Sequence, residues 1–222
     1  MWIYLGQLLL VRDGQAEFDS EDHDLLSPLG WEQARLLGEA LSGHVQPTVL
    51  VRGRMRRHRE TAEAVCDASG WSGVEVVEDQ GWDEFDHLAM LDAHPSAFGD
   101  RLPSRAEFQG WFESAADRWT SGEFDGDYAE PWREFTGRID SALARAAKLA
   151  GPAGTVVVFT SGGPLSWAVA CALAGGLAPE SRTALWGRLD RVVVNSSVSR
   201  IAVGMDELSL VSFNEHSHLR AG

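Results

Sequence analysis

The order of apolar runs along the chain is the feature that most restricts its fold. Short runs rich in β-branched residues, such as residues 8–11 and 155–160, alternate with longer segments whose apolar residues recur at helical spacing. This alternation is typical of βα units, which build a mainly parallel sheet covered by helices on both faces. We therefore predict an α/β protein, a three-layer α/β/α sandwich around one sheet.

The same pattern predicts where individual elements begin and end. Ser27 and Pro28 are residue types that begin helices, the first as N-cap and the second as first helical residue. Helices are predicted over residues 28–41, 55–68 and 164–174. A buried first strand is predicted over residues 8–11, and further strands are predicted over residues 48–51, 74–77 and 155–160. Three further short strands, some antiparallel at the sheet edge, are predicted over residues 191–195, 199–203 and 208–213.

Residues 80–150 break the alternation. They carry helical periods, many aromatic residues and an acidic turn at residues 122–127. Because an insertion after the carboxyl end of a strand overhangs the crevice where open α/β sheets bind ligands, we predict that it forms a lid. The alternative is that these helices only enlarge the core. No repeat or linker is evident, so we expect one domain over residues 1–222 that includes this insertion.

Charge and hydropathy exclude several classes of partner. The chain has 19 basic and 33 acidic residues, a formal net charge of −14. Such a charge repels both nucleic acid and anionic membranes, so we expect neither as a partner. The apolar run at residues 3–11 is too short to span a bilayer and lacks the basic start and cleavage site of a signal peptide. We therefore expect a cytoplasmic protein.

Polar residues follow each of the four predicted parallel strands, and ligands of such sheets bind at the carboxyl ends of the strands. Arg12 follows the first strand, and its planar guanidinium suits a phosphate or a carboxylate, while Gly14 allows close backbone approach. Residues 52–59 follow the second strand and contain five arginines, of which Arg57 is the one most expected to enter a pocket. The sequence therefore predicts a site for a small anionic metabolite.

The other two clusters supply different chemistry. Asp83 and Glu84 follow the third strand, and Ser161, Gly162 and Gly163 follow the fourth. The glycines lead into a helix, whose N-terminal amides and positive dipole favour an oxyanion. Each cluster alone also fits a structural role, such as helix capping or a tight turn. Four of them at successive strand ends favour a site.

Three short motifs resemble those of a known family. They are Leu-Val-Arg-Asp-Gly-Gln at residues 10–15, Gly-Trp-Glu-Gln-Ala at 30–34 and Arg-His-Arg-Glu-Thr-Ala at 57–62. The histidine phosphatase superfamily, with its phosphoglycerate-mutase-like fold, ends its first strand in Arg-His-Gly and continues with Gly-x-x-Gln-Ala and Arg-x-x-(Glu/Gln)-Thr-Ala. The resemblance covers nearly the whole chain and implies a phosphatase site. It implies Glu84 as the proton donor and the following phosphate-binding residues: Arg12, Gly14, Gln15, Arg57, Ser161 and Gly162.

Two residues depart from the family pattern. Asp13 stands at the position of the phosphate-accepting histidine, and Ser161 at that of a second histidine found in many members. A neutral imidazole attacks phosphorus without charge repulsion. A carboxylate ~4 Å from a phosphate charge is repelled by about 4 kcal/mol per charge pair at an effective dielectric constant near 20. Aspartate-dependent phosphatases offset this repulsion with Mg²⁺, but no Asp-x-Asp-x-Thr motif follows a strand here, so we expect neither a metal nor a cofactor.

Several functions therefore remain open. The first is a pocket lined by Arg12 and Arg57 without phosphohistidine-mediated phosphatase activity, in which Asp13 competes internally for the anion site. The second is an active phosphomonoesterase with Asp13 as nucleophile or base and Glu84 as proton donor. The third is another acid/base reaction that uses the same two carboxyl groups. The fourth is that the protein is a variant of an active phosphatase in which the histidine was deliberately replaced by Asp13.

The histidines of the chain are expected to lie mainly at the surface or in loops, and this expectation includes His58. The exception is His87, which follows Glu84 by three residues. A helical turn at that point would place the two on one face.

Overall fold

The computed structural model describes residues 6–17, 24–96, 98–99, 101–151, 153–175, 178–205 and 207–220. Within these residues the chain forms six strands and seven α-helices. The strands are β1 (Gly6–Arg12), β2 (Val49–Arg52), β3 (Val76–Glu78), β4 (Gly154–Thr160), β5 (Val198–Val203) and β6 (Leu208–Glu215). The helices are α1 (Pro28–Leu41), α2 (Arg56–Ser69), α3 (His87–Asp92), α4 (Arg105–Ser121), α5 (Trp132–Ala150), α6 (Gly162–Leu173) and α7 (Pro179–Asp190).

All six strands belong to one sheet, in the order β3-β2-β4-β1-β5-β6. The first four strands of this order run parallel to one another, and β5 runs antiparallel to both β1 and β6. The predicted α/β class is confirmed, with a mixed sheet. Arg12 lies opposite Thr160, and Arg52 lies opposite Phe159. The carboxyl ends of β1, β2 and β4 therefore meet at one edge.

Helices cover both faces of this sheet. Leu9, Val11, Val157 and Phe159 point to one face, where they form a core with α1 and α2. The alternate residues Leu8, Leu10, Val156 and Val158 are equally inaccessible to solvent. Successive side chains of a strand point to opposite faces, so a second buried layer is required. Helix α6, which is buried along most of its length, contacts β1, β5 and β6.

One predicted strand is wrong. Residues 191–195 follow α7, a helix that we did not predict, and form turns rather than a strand. The β-branched run from Val192 to Val194 favours a strand, but the amides of Val192 and Val193 both donate to the carbonyl of Leu189. The amide of Val194 donates to the side chain of Asn214 at 2.8 Å. These hydrogen bonds replace those that a strand would make with a neighbour.

Contacts along the chain divide it into two compact units. The sheet unit comprises Met1–Glu84 and Ile139–Gly222, and the helical unit comprises Phe85–Arg138. The prediction that residues 80–150 act as a lid stays a prediction. Among the described residues, each helix is too short or too polar to span a bilayer.

The helical unit has its own aromatic core. Trp119 is 2 % exposed, and its ring contacts those of Phe85, Trp132 and Phe135 at centroid distances of 4.8, 4.9 and 5.3 Å. Helix α4 begins at a capping box, in which Ser104 and Glu107 satisfy each other's backbone amides. Asp86 caps α3, as one interpretation of the acidic run after the third strand predicts.

Candidate anion-binding site

Asp13 lies directly after β1, and its backbone is held by two other segments. Its amide donates to the carbonyl of Thr160 at 2.8 Å. Its carbonyl accepts from the amide of Ser196 at 3.0 Å and from Nδ2 of Asn195 at 3.1 Å. The residue is 3 % exposed. The end of β1 is thus fixed between the end of β4 and the loop before β5.

The Asp13 carboxylate pairs with Arg57, the guanidinium group that we predicted would bind a ligand. Nε of Arg57 donates to Asp13 Oδ2 at 2.6 Å, and Nη1 of Arg57 lies 3.1 Å from Asp24 Oδ1. Burial lowers the pKa of Arg57, but the nearby carboxyl groups of Asp13, Glu84 and Asp24 outweigh burial and raise it. Arg57 therefore stays charged, and its charge is already paired inside the protein.

Ser161 joins the same cluster. Its hydroxyl donates to Asp13 Oδ2 at 2.8 Å and accepts from Nη2 and Nε of Arg57 at 3.1 and 3.3 Å. Ser161 is the N-cap residue of α6, yet among the described residues its side chain makes no capping hydrogen bond. A serine at this position ordinarily binds an amide of the first helical turn. Here the hydroxyl points into the charged cluster instead.

Arg12 lies near the other carboxylate oxygen of Asp13. Its Nε lies 3.9 Å from Asp13 Oδ1, and its Nη1 donates to the carbonyl of Val193. The Nε atom is buried and makes no hydrogen bond within the part of the chain that the structure describes. A buried, unsatisfied donor of this kind is costly, which indicates a place where a ligand oxygen would be stabilised.

The side chain of Glu84 contacts the start of α6, where Oε2 accepts a hydrogen bond from the amide of Gly163 at 3.0 Å. Burial, reinforced by the nearby carboxyl of Asp190, raises its pKa to about 7, although the Gly163 amide and Arg57 act in the opposite direction. A carboxyl group with this pKa holds a proton near neutral pH. Glu84 can therefore donate a proton, as the resemblance implies.

Asp190, at the end of α7, was missed by the sequence analysis. A Cβ at Gly162 would lie 3.0 Å from Asp190 Oδ1 and 3.5 Å from Arg12 Nε, so Gly162 lets the Asp190 carboxylate lie close to the start of α6, beside Arg12. Burial raises the pKa of Asp190, opposed by the charge of Arg12. No sequence signal marks this residue, because its place depends on α7.

Gly14 and Gln15 use their amides within the protein. The amide of Gly14 donates to the hydroxyl of Thr61 at 3.1 Å, and that of Gln15 donates to Gln33 Oε1 at 2.9 Å. A Cβ at Gly14 would come within 2.5 Å of the Gly30 carbonyl oxygen. These contacts account for the Gly-x-x-Gln-Ala motif as a packing device. Phosphate binding by Gly14 and Gln15 stays a prediction.

His58 is not a surface residue, and our expectation for it was wrong. Its side chain is fully buried, with Nε2 2.7 Å from Ser161 Oγ and 3.7 Å from Asp13 Oδ2. Burial lowers its pKa to about 4, so the imidazole is neutral at neutral pH. Helical spacing offered a signal, since His58, Thr61, Ala62 and Val65 share the buried face of α2.

One further prediction needs correction. Helix α3 begins at His87, which is exposed, and Glu84 lies before the helix rather than within it. The two therefore do not share a helical face. Asp24, a loop residue that the sequence analysis did not single out, pairs with Arg57, whereas its neighbours Asp22 and His23 lie outside the described residues.

Comparison with known proteins agrees with this architecture. Residues 8–216 match the family described as histidine phosphatase superfamily (branch 1). The chain belongs to this superfamily. No curated protein matches the chain significantly.

Several solved structures of the superfamily's fold are similar over nearly their whole length. Phosphoglycerate mutase from Bacillus anthracis has a TM-score of 0.65 at 21% identity, covering 97% of this chain and 95% of that one. A phosphoserine phosphatase mutant from Entamoeba histolytica, in complex with phosphoserine, has a TM-score of 0.65 at 17% identity and covers 96% and 98%. The α-ribazole phosphatase of Shigella flexneri has a TM-score of 0.64 at 18% identity and covers 95% and 96%. These similarities confirm the predicted phosphoglycerate-mutase-like fold.

Proposed function

We propose that this histidine phosphatase superfamily member binds a small phosphorylated or carboxylated metabolite between Arg12 and Arg57, without ordinary phosphohistidine-mediated phosphatase activity. The observation that carries the proposal is the 2.6 Å ion pair between Arg57 Nε and Asp13 Oδ2. The carboxylate stands where the family's histidine would accept the phosphoryl group. It also takes up the guanidinium that would bind that group.

Electrostatics explains why binding is favoured over turnover. A phosphate that enters must displace the Asp13 carboxylate from Arg57, and at ~4 Å the two anions repel each other by about 4 kcal/mol per charge pair. Within the described residues, the groups around Asp13 include two guanidinium groups but no cluster able to hold a metal ion. Asp13 thus acts as an internal competitor that weakens anion binding without abolishing it.

The class of ligand is supported by the structural relatives. One Entamoeba histolytica phosphoserine phosphatase structure is a complex with phosphoserine, and another is a complex with 3-phosphoglyceric acid. Both ligands combine a phosphate with a carboxylate. The two guanidinium groups of Arg12 and Arg57 suit such a ligand, because guanidinium groups bind both phosphates and carboxylates. Within the described residues, the buried Nε of Arg12 makes no hydrogen bond and is available to a ligand oxygen.

A second function is favoured by one observation, the raised pKa of Glu84. A carboxyl with a pKa of about 7 is suited to protonate a leaving alcohol at neutral pH. With Asp13 as nucleophile or base, the same site would be a slow phosphomonoesterase. This alternative requires Asp13 to leave Arg57 and to attack phosphorus, or to activate water, against the repulsion described above.

Phosphate release from a panel of small phosphomonoesters separates the two functions. We expect the parent protein to release no more phosphate than Asp13→Ala, and we expect Asp13→His to gain activity that Arg57→Gln abolishes. Release by the parent that is lost in Asp13→Ala would instead establish the phosphomonoesterase. Thermal unfolding of each variant controls for loss of the fold.

A further inference from the structure

We propose that Ser161 is a phosphoryl acceptor, with His58 as the base that takes its proton. The proposal rests on the proposed function, because the phosphomonoester must enter the same pocket between Arg12 and Arg57. It adds a covalent step that neither phosphohistidine nor Asp13 chemistry provides.

The position of Ser161 Oγ carries the argument. The hydroxyl is released from helix capping and lies within 3.3 Å of Arg57 Nε, Arg57 Nη2, Asp13 Oδ2 and His58 Nε2. It has one proton and, in the tautomer of His58 that carries its proton on Nδ1, two acceptors for it, the Asp13 carboxylate at 2.8 Å and Nε2 of the His58 imidazole at 2.7 Å. A rotation of the hydroxyl moves this proton from one acceptor to the other without moving any heavy atom.

A bound phosphate determines which of these two acceptors receives the Ser161 proton. When the anion displaces Asp13 from Arg57, the carboxylate no longer faces the hydroxyl, and the imidazole remains as the acceptor. His58 cannot withdraw in the same way, because it is fully buried and its Nδ1 packs against Gly53, where a Cβ would come within 2.3 Å. Serine beside a neutral imidazole is the arrangement that activates a hydroxyl for attack.

The step balances with groups that the site already holds. Ser161 Oγ bonds to phosphorus and its proton passes to His58 Nε2, while the bond between phosphorus and the ester oxygen breaks. Glu84 gives its proton to the leaving alkoxide and becomes a carboxylate. Arg57 lies within 3.1 Å of Oγ and neutralises the phosphoryl oxygens. The products are a phosphoserine at residue 161 and the free alcohol.

Such a product is expected to accumulate. A phosphoserine ester lacks the labile phosphorus–nitrogen bond of a phosphohistidine, so the second half of a hydrolytic cycle is slow. The structure therefore favours a single transfer per chain, with a burst of alcohol and no sustained release of phosphate.

The test uses the full chain and p-nitrophenyl phosphate as donor, followed by intact-protein mass spectrometry and peptide mapping. The parent should release one equivalent of nitrophenol and gain one phosphoryl group on Ser161. Ser161→Ala should gain none. Ser166→Ala is the matched control, because Ser166 lies in the same helix, fully buried, with a hydroxyl that makes no hydrogen bond within the described residues. It should label like the parent.

Two variants identify the base. His58→Gln keeps a polar side chain but not a base, and it should label at least tenfold more slowly while its affinity for inorganic phosphate, measured by calorimetry, changes less than twofold. Asp13→Asn should label at least tenfold faster, because it removes the repulsion. Loss of labelling in Asp13→Asn would make Asp13 the base and overturn the role of His58.

The outcomes also separate this inference from the proposed function. Phosphate binding without an adduct on Ser161 overturns the phosphoryl transfer and leaves the binding function standing. If inorganic phosphate does not bind at all, the binding function itself fails. If His58→Gln does not fold, the comparison of the parent, Ser161→Ala and Ser166→Ala still decides whether Ser161 is modified.

Discussion

One ion pair of the sheet unit and one of the helical unit are arranged in opposite ways. In the helical unit, Arg101 and Glu107 pair only six positions apart, with side chains 57% and 43% exposed. In the sheet unit, Arg57 and Asp13 come from α2 and the end of β1, with side chains only 16% and 5% exposed. The first arrangement follows from local sequence, whereas the second requires the whole sheet to be assembled.

The difference indicates whether each ion pair contributes to stability or to function. Exposed pairs gain little stability because water screens them. Buried pairs lose hydration that their attraction only partly restores, so an apolar core is often at least as stable. The cluster of Asp13, Arg57, Ser161 and His58 is therefore poorly explained by stability alone. Perturbed ionisable groups gathered at strand ends are typical of functional sites.

The largest expected effect comes from breaking the buried pair. Arg57→Gln leaves the buried Asp13 carboxylate with only the more distant Arg12 as a cation, which should cost about 3–5 kcal/mol of unfolding free energy. The double variant Arg57→Gln, Asp13→Asn removes both charges and should recover most of this loss. Urea unfolding at neutral pH measures both. A double variant no more stable than Arg57→Gln would show that the pair is not the unit that we describe.

The next effect is a pH dependence with two opposing slopes. The pKa of Glu84 rises from 4.5 to about 7 on folding, so the folded state binds the proton more tightly and stability falls as pH rises through that interval. The pKa of His58 falls from 6.5 to about 4, so the unfolded state binds the proton more tightly and stability rises with pH over that interval. Each group changes the unfolding free energy by at most about 3–4 kcal/mol across its interval.

Difference profiles separate these two slopes. The stability of Glu84→Gln relative to the parent should rise between about pH 4.5 and 7, and that of His58→Gln should fall between about pH 4 and 6.5. Unfolding free energies measured by urea titration across this range provide the profiles. Two flat difference profiles would mean that neither group is perturbed by the site.

The smallest effect is expected in the helical unit. Arg101→Gln removes an exposed, local pair, so the urea midpoint should not change measurably in either low or high salt. A loss of stability comparable to that of Arg57→Gln would remove the contrast between the two units.

Much of the sheet unit could be predicted because its determinants are local. Apolar periods place β1 and β4, and parallel strands bring their carboxyl ends together, so Arg12, Asp13 and Ser161 were expected at one edge. Helix α1 begins at Ser27 and Pro28 as their residue types predict.

The rest depends on tertiary structure. Asp190 reaches the site through α7, whose weak amphipathic pattern gave no signal, and the β-branched run after it favoured a strand that does not form. His58 could have been placed by the phase of α2, but a histidine among arginines suggested an exposed face. Asp24 lies in a loop, where no period fixes the direction of a side chain.

The affinity of inorganic phosphate for the parent and for Asp13→Asn, measured by titration calorimetry at one salt concentration, tests the central claim most directly. Because Asp13 competes for Arg57, the variant should bind phosphate at least tenfold more tightly. The upper limit is about a thousandfold, the factor equivalent to the ~4 kcal/mol of repulsion that is removed. Equal or weaker binding by Asp13→Asn would contradict the claim that this carboxylate occupies the anion site.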